Sequence, residues 1–353
     1  MKALNTQLVS AGVWNCTEKF PRFSKHEIPF FMKGIDLSPT LRSRVCMHSG
    51  LEDRMQEMFI AFSGKTYVRP SFHHIDESFH VIEGFGKYLF FDAEGRFTHD
   101  VRLGPYHSEL PFYCRIPKHQ AHSLILFSKN AMAHEIISGP FSRANTIFPA
   151  WSADLQTDAE KEQYRAHHAT EPVSAITGCQ FDRITEEMCR AKPGVVTLKR
   201  SDLEYLKSEV YKTTRKRIRL CIHLDDQAAL HEMFVVYTDM TYVRPNLHIG
   251  KDESLHILEG EADFIFFDET GKVTAVIPLG DQYSHRNFFV RVPQGVYHTI
   301  IMRSNHLIIH EATPGPFDRK DTLWAPWAPL DSDQEAVTRY QQSLEKQIAA
   351  FRE

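Results

Sequence analysis

The chain has 353 residues, of which 42% are hydrophobic and 24% charged, and its formal net charge at pH 7 is -4. That size and balance fit two globular domains, each able to bury a core. So weak a charge gives no long-range field of the kind that gathers nucleic acid or anionic lipid, and a small molecule is the expected partner. The opening MKALNTQLVSAGVWNC lacks the unbroken apolar stretch of an export signal, and no uncharged apolar run approaches membrane-spanning length. Six cysteines are scattered without a CxxC pair. They suit a reducing cytoplasm, with most of them buried as small hydrophobes.

The chain repeats itself. TYVRP ends at Pro70 and again at Pro245, a spacing of 175. Arg44, Cys46, His48, Glu57 and Met58 return as Arg219, Cys221, His223, Glu232 and Met233 with the same spacing. A one-residue gap falls between His73 and Glu77, after which the spacing is 176: Glu77, His80, Gly84, Pro117, His122 and Trp151 return as Glu253, His256, Gly260, Pro293, His298 and Trp327. A match this long with a single one-residue gap is a duplication, and each half must fold alike.

In chain order, FFDAEGRFTHDV (90–101) reads as two strands joined by a loop of about four or five residues. DAEKEQYRAHH (158–168) is polar and helix-favouring. A mixed segment at 171–198 reads as a linker, with EEMCRAK (186–192) as a short-helix alternative. EMFVVYT, ADFIFFD and NFFVRVP then read as strands, FFDETGKVTAVI repeats the hairpin, and DQEAVTRYQQSLEKQIAAF closes the second half with a helix. Many short strands with few helices imply a sandwich or small barrel. The division is therefore 1–170, 171–198 and 199–353, giving two mainly β domains, each followed by a helix.

The second half holds an ordered set: His248, Glu253, Gly260, then Pro293-x-Gly295-x-x-His298. This spacing resembles the two cupin motifs, and RPNLHIGKDESLHILEG, the GPF turn and LWAPWAP are similar to the WbuC family of cupin-fold metalloproteins. The resemblance spans residues 205–330 and, less closely, 30–154. It implies two tandem jelly-roll barrels and a divalent transition metal in one or both, with Fe(II) first and Zn, Mn or Ni as alternatives. In that reading His248, Glu253 and His298 are ligands, with His73, Glu77 and His122 as the equivalent set. Two imidazoles and a carboxylate hold such a metal and leave positions open for water, oxygen or substrate.

The family pattern has His-x-His, whereas here its first histidine is Asn246, and Ser71 in the other half. The gap in the first half also brings His74 into contention, and His119 stands where the second half has Gly295. His256, three residues after Glu253, points away from the metal under strict strand alternation and toward it if a bulge intervenes. An inward His256 would replace the missing ligand and join the reaction. Arg244, like Arg69, sits two residues before the replaced histidine and is a candidate for a substrate carboxylate or phosphate. His134 and His310, each followed by glutamate, read as supports. Tyr67 and Tyr242 read as barrel lining. Phe148, Trp151, Trp324 and Trp327 read as anchors where the chain leaves each barrel. The functional expectation is an Fe(II) oxygenase acting on a small polar metabolite such as a sugar or carboxylic acid. Its alternatives are a metal-assisted isomerase or lyase and a non-catalytic, ligand-sensing bicupin. A fused pair of barrels is expected as a monomer or a homodimer.

Overall fold

The computed structural model describes residues 4–169 and 178–352. Contacts divide the chain into two compact units, Met1–Glu18 with His26–Gln180 and Ala191–Glu204, and Lys19–Lys25 with Phe181–Arg190 and Tyr205–Glu353.

In the N-terminal unit one sheet runs in the spatial order Thr6–Ser10, Val13–Cys16, Arg42–Cys46, Met55–Ser63, Asn130–Ser138, Glu77–Glu83, Tyr113–Ile116 and Val196–Leu198. A second sheet, Ala121–Leu126, Gly86–Phe91 and Phe97–Leu103, packs against it. Between them lie Ile60, Phe62, Phe79, Val81, Tyr88 and Phe90. Gly86–Phe91 is buried on both faces. Tyr88 and Phe90 point inward, so the period of two turns Leu89 and Phe91 outward, where they meet Trp151 and Tyr164. Tyr164 belongs to the helix Asp158–Ala169.

The C-terminal unit repeats this plan. Phe264 and Phe266 fill the interior. Ile265 and Phe267 face out onto Leu344 and Ile348 of the helix Gln334–Arg352. Both hairpins carry five-residue loops, Asp92–Arg96 and Asp268–Lys272. Gly95 and Gly271 adopt φ of +82° and +87° there. A Cβ at Gly95 would stand 2.5 Å from Trp151, and one at Gly271 2.8 Å from Trp327. The two tryptophans therefore lock each loop to the chain leaving its barrel. Tyr67 and Tyr242 hold the same exit segments, their hydroxyls donating to the carbonyls of Ala153 (2.7 Å) and Pro329 (3.2 Å).

The division of the sequence at 1–170, 171–198 and 199–353 is redrawn by backbone pairing. Arg22–Ser24 pairs with Asn287–Val292, Phe23 opposite Phe289, and so completes the C-terminal unit. Val196–Leu198 pairs with Tyr113–Ile116, Leu198 opposite Tyr113, and completes the N-terminal one. Phe23 and Leu198 are 175 apart, so they are repeat equivalents. EEMCRAK contains a strand, Met188–Ala191, parallel to Arg217–Cys221, in place of a helix. The boundary at 170/171 lies outside the described residues.

The repeat tolerates opposite charges at one buried position. Lys87 is fully buried and donates to Asp100 at 2.9 Å. Its equivalent 176 residues on is Asp263, also fully buried, which takes Arg303 at 2.6 Å together with Arg286 and Arg352. Breaking such a pair strands a charge in the interior. We expect Lys87→Met to destabilise the protein by about 3–5 kcal/mol, and Lys87→Met combined with Asp100→Leu to recover most of that loss. Urea unfolding checks this, and a double variant no more stable than the single one would refute it.

Candidate metal centre

The strands Asn246–His248, Glu253–Glu259 and Tyr297–Met302 bring three side chains of the C-terminal unit together. His248 Nε2 lies 3.6 Å and His298 Nε2 3.2 Å from the two oxygens of Glu253. The ligand atoms of this triad all lie within 4.8 Å of one another. In the N-terminal unit His73, Glu77 and His122 meet in the same way, at 3.0 Å and 3.7 Å. The histidine of the first motif is His73. His74 instead lies against His119, ring centroids 5.1 Å apart.

Each imidazole is aimed by its other nitrogen. His298 Nδ1 and His122 Nδ1 lie 2.9 Å from the carbonyls of Val296 and Gln120, contacts that call for Nδ1–H and leave Nε2 as the bare donor. His248 Nδ1 and His73 Nδ1 lie 3.3 Å and 3.2 Å from the hydroxyls of Thr322 and Thr146. The turn before the last ligand fixes the first: the N–H of Gly295 donates to the carbonyl of His248 and that of His119 to the carbonyl of His73. That turn needs a left-handed residue, φ +75° at Gly295, and His119 takes it at +67°, a conformation unfavourable for a side chain with a Cβ.

Asp252 and Asp76, each directly before the ligand glutamate, tie the same parts together. Asp252 accepts from Arg291 at 3.0 Å and from the N–H of Gln294 at 3.0 Å. Asp76 accepts from Arg115 at 2.8 Å and the N–H of Lys118 at 2.9 Å. Sequence reasoning missed this pair, although Asp76/Asp252 and Arg115/Arg291 keep the 176 spacing.

His256 is not at the centre. It falls on the face of its strand opposite Glu253 and Leu255, is buried, and packs on Phe288 with centroids 5.1 Å apart. The catalytic role expected of it does not hold, because the register shift in that strand lies after Ile257, too late to turn it inward. His310 and His134 also face away. They meet the buried Glu232 and Glu57 at 3.1 Å and 2.8 Å. The residues that follow them, Glu311 and Glu135, turn inward and are the second miss. Burial, and then the charge of Glu253, push the Glu311 carboxyl up to about 8. Burial and Glu77 raise Glu135 to about 7. Burial also works against the charge on Glu253, but His248 and His298 outweigh it and hold that carboxyl well below its usual range.

The C-terminal triad opens on a cavity of about 820 Å³, lined among others by Asn246, Glu311, Arg217, Arg219 and Arg244. Arg244 donates to the carbonyl of Ala325 at 3.1 Å and lies 5.8 Å over Trp324. Arg69 is held by Ser152 and lies 4.4 Å over Phe148. Trp324 and Phe148 therefore carry arginines and are half exposed, unlike the two loop-locking tryptophans. Asn246 stands directly across from His298 and is buried. Its Nδ2 donates to the carbonyl of Arg244, while Oδ1 has no hydrogen-bond partner among the described residues. A buried unsatisfied oxygen beside two imidazoles and a carboxylate suits a cation, so the residues present fit a divalent metal.

Comparison with known proteins agrees on the architecture. A model of a domain of unknown function, DUF6016, matches residues 32–103 and again 198–279. The two matches end 176 residues apart, the spacing of the repeat. No curated protein matches the chain. Salicylate 1,2-dioxygenase from Pseudaminobacter salicylatoxidans superposes with a TM-score of 0.56 at 12% identity, covering 84% of each chain. An oxalate decarboxylase from Lactobacillus farciminis gives 0.43 at 14% identity, covering 91% of this chain and 86% of its own. At 12% identity the likeness to the dioxygenase is one of fold. No described helix is long and apolar enough to cross a membrane.

The raised Glu311 carboxyl has a measurable consequence. The folded protein keeps that proton above the pH of about 4.3 at which an unfolded glutamate loses it, so the group costs stability progressively as pH rises from there toward about 8. In metal-free protein held in EDTA, Glu311→Gln is expected to gain Tm over the wild type, with the gap widening by several degrees (~5 °C) from pH 5 to pH 8. A constant gap in thermal scans would contradict a proton on Glu311. The chain thus combines a duplicated, mainly β bicupin fold with, among the described residues, one His-Glu-His triad in each unit.

Proposed function

We propose that the chain is a metal-dependent bicupin enzyme of the Fe(II) oxygenase type, acting on a small polar metabolite such as a sugar or carboxylic acid at its C-terminal unit. One observation carries the reading: two imidazole Nε2 atoms and a carboxylate converge within 4.8 Å on the wall of a cavity large enough for a small metabolite. His248, Glu253 and His298 would hold the cation, with Asn246 Oδ1 as a weak fourth donor. A first-row metal held by two histidines and one carboxylate supplies open positions for dioxygen and substrate. Val296, Thr322 and the Gly295 turn aim the two imidazoles, and Val235, Leu255, Phe264 and Ile300 give the cavity an apolar wall. The motifs shared with the WbuC family support kinship with those cupin metalloproteins. The scattered placement of the six cysteines, without a CxxC pair, supports a reducing cytoplasm.

A second reading, a metal-assisted isomerase or lyase, is favoured by Glu311, a half-buried carboxyl near Glu253 that faces the same cavity. It is placed to donate or accept a proton.

Protein loaded with Fe(II) without oxygen is expected to hold about one equivalent of metal per intact triad. His298→Ala should lose about one equivalent with unchanged circular dichroism. Elemental analysis showing less than about 0.2 equivalents in the wild type would leave only a ligand-binding role. Substrate-linked oxygen uptake that persists in His298→Ala would remove the oxygenase mechanism, and turnover without oxygen would favour the isomerase or lyase.

A further inference from the structure

The cavity of the C-terminal unit is lined by five arginines, and three are committed or peripheral. Arg215 is paired through two nitrogens with Glu187. Arg244 is bound to Ala325 and Trp324. Arg319 sits exposed on a short helical turn at Arg319–Asp321.

Arg217 and Arg219 differ. They alternate on the strand Arg217–Cys221, opposite Tyr237 and Val235 respectively, so both occupy the face that looks into the cavity, while Ile218 and Leu220 are buried on the other side. Arg217 approaches Glu187, which already serves Arg215, only to 4.0 Å. Arg219 reaches the thioether of Met188 at 3.9 Å, a poor acceptor for a guanidinium. Neither makes an ion pair with Glu311 among the described residues. Two cations thus project from alternate positions of one strand, about 7 Å apart along it, toward a chamber whose deeper wall is Val235, Leu255, Phe264 and Ile300. Glu253, the carboxylate on that wall, is engaged by two histidines.

We propose that Arg217 and Arg219 bind the carboxylate of a small organic acid whose apolar body lies against Val235, Leu255, Phe264 and Ile300. The guanidinium fork matches a carboxylate through two parallel hydrogen bonds, and partial exclusion of water strengthens them. The inference rests on the reading of this cavity as the substrate chamber of the metal centre, and it narrows the substrate to an amphipathic carboxylate. The N-terminal unit supplies an internal contrast. Its equivalent pair is Arg42 and Arg44, but Arg42 donates to the carbonyl of Tyr67 at 3.0 Å and lies 5.8 Å over Phe62, where the other unit has Tyr237. That pair is partly spent on its own chain.

The test uses the full-length, metal-free protein and calorimetric titration with benzoate, phenylacetate and hexanoate, each beside its neutral amide, and with phenyl phosphate. The acids should bind at least tenfold more tightly than the amides. Arg217→Gln combined with Arg219→Gln should abolish that preference, whereas Arg42→Gln with Arg44→Gln should leave it intact. Arg219→Lys, which keeps the charge and loses the fork, should retain an intermediate preference. Acids bound no better than their amides, a preference that survives the first double variant, or phenyl phosphate bound tenfold above benzoate would each overturn the proposal. Metal content reports separately: the double variant should load metal like the wild type. Acid binding in a protein that takes up no metal would keep this inference and sink the metal reading.

Discussion

A glutamate turned into the interior of a β-barrel is the constraint around which each unit is arranged. A carboxylate removed from water without a partner is costly enough to give up its charge. Glu253 keeps its charge because His248 and His298 face it, and they face it because their far nitrogens are held by a carbonyl and a threonine. The hold extends outward. Gly295 fixes the backbone of His248, and Asp252, gripped by Arg291, fixes the start of the strand that carries Glu253. These contacts span five strands, so the donor set is held in place before any cation arrives, which is the preorganisation a metal site needs.

The two units show how far one arrangement can drift while its skeleton stays. The triads match in their contacts, yet their surroundings differ. Asn246 answers Ser71, Phe264 answers Tyr88, and Gly295 answers His119. Tyr88 donates its hydroxyl to Glu77 at 3.3 Å, a contact that Phe264 cannot make with Glu253. In the N-terminal unit the carboxylate is therefore more fully satisfied by its own chain, and in the C-terminal unit it is left more open toward a chamber.

Much of this was legible in the sequence. Duplication, the hairpins with their glycines and the closing helices follow from spacing, because repeats and turns are local; the triads are implied by the resemblance to the cupin motifs, and a register of 175 or 176 carries one onto the other. What spacing could not show is what one strand does to another. Glu311 hides behind His310, and only the alternation of a strand whose place in the sheet is known says which of the two turns inward. Arg217, Arg219 and the Asp252–Arg291 pair depend in the same way on cross-strand register. His256 was ambiguous because a bulge between Glu253 and His256 would have reversed it. EEMCRAK has helix-forming residues, but its partner strand, Arg217–Cys221, overrides local preference.

Residues 22–24 and 196–198 add a last point about how such a gene can change. Each triplet zips its backbone onto a sheet built chiefly by the opposite repeat. A copy freed from selection on its chemistry would still be kept, since deleting it would leave the surviving barrel with a bare edge and unpaired amides. Duplication followed by specialisation would then end in a silent first repeat retained as scaffold, with divergence permitted at its side chains and forbidden at its length.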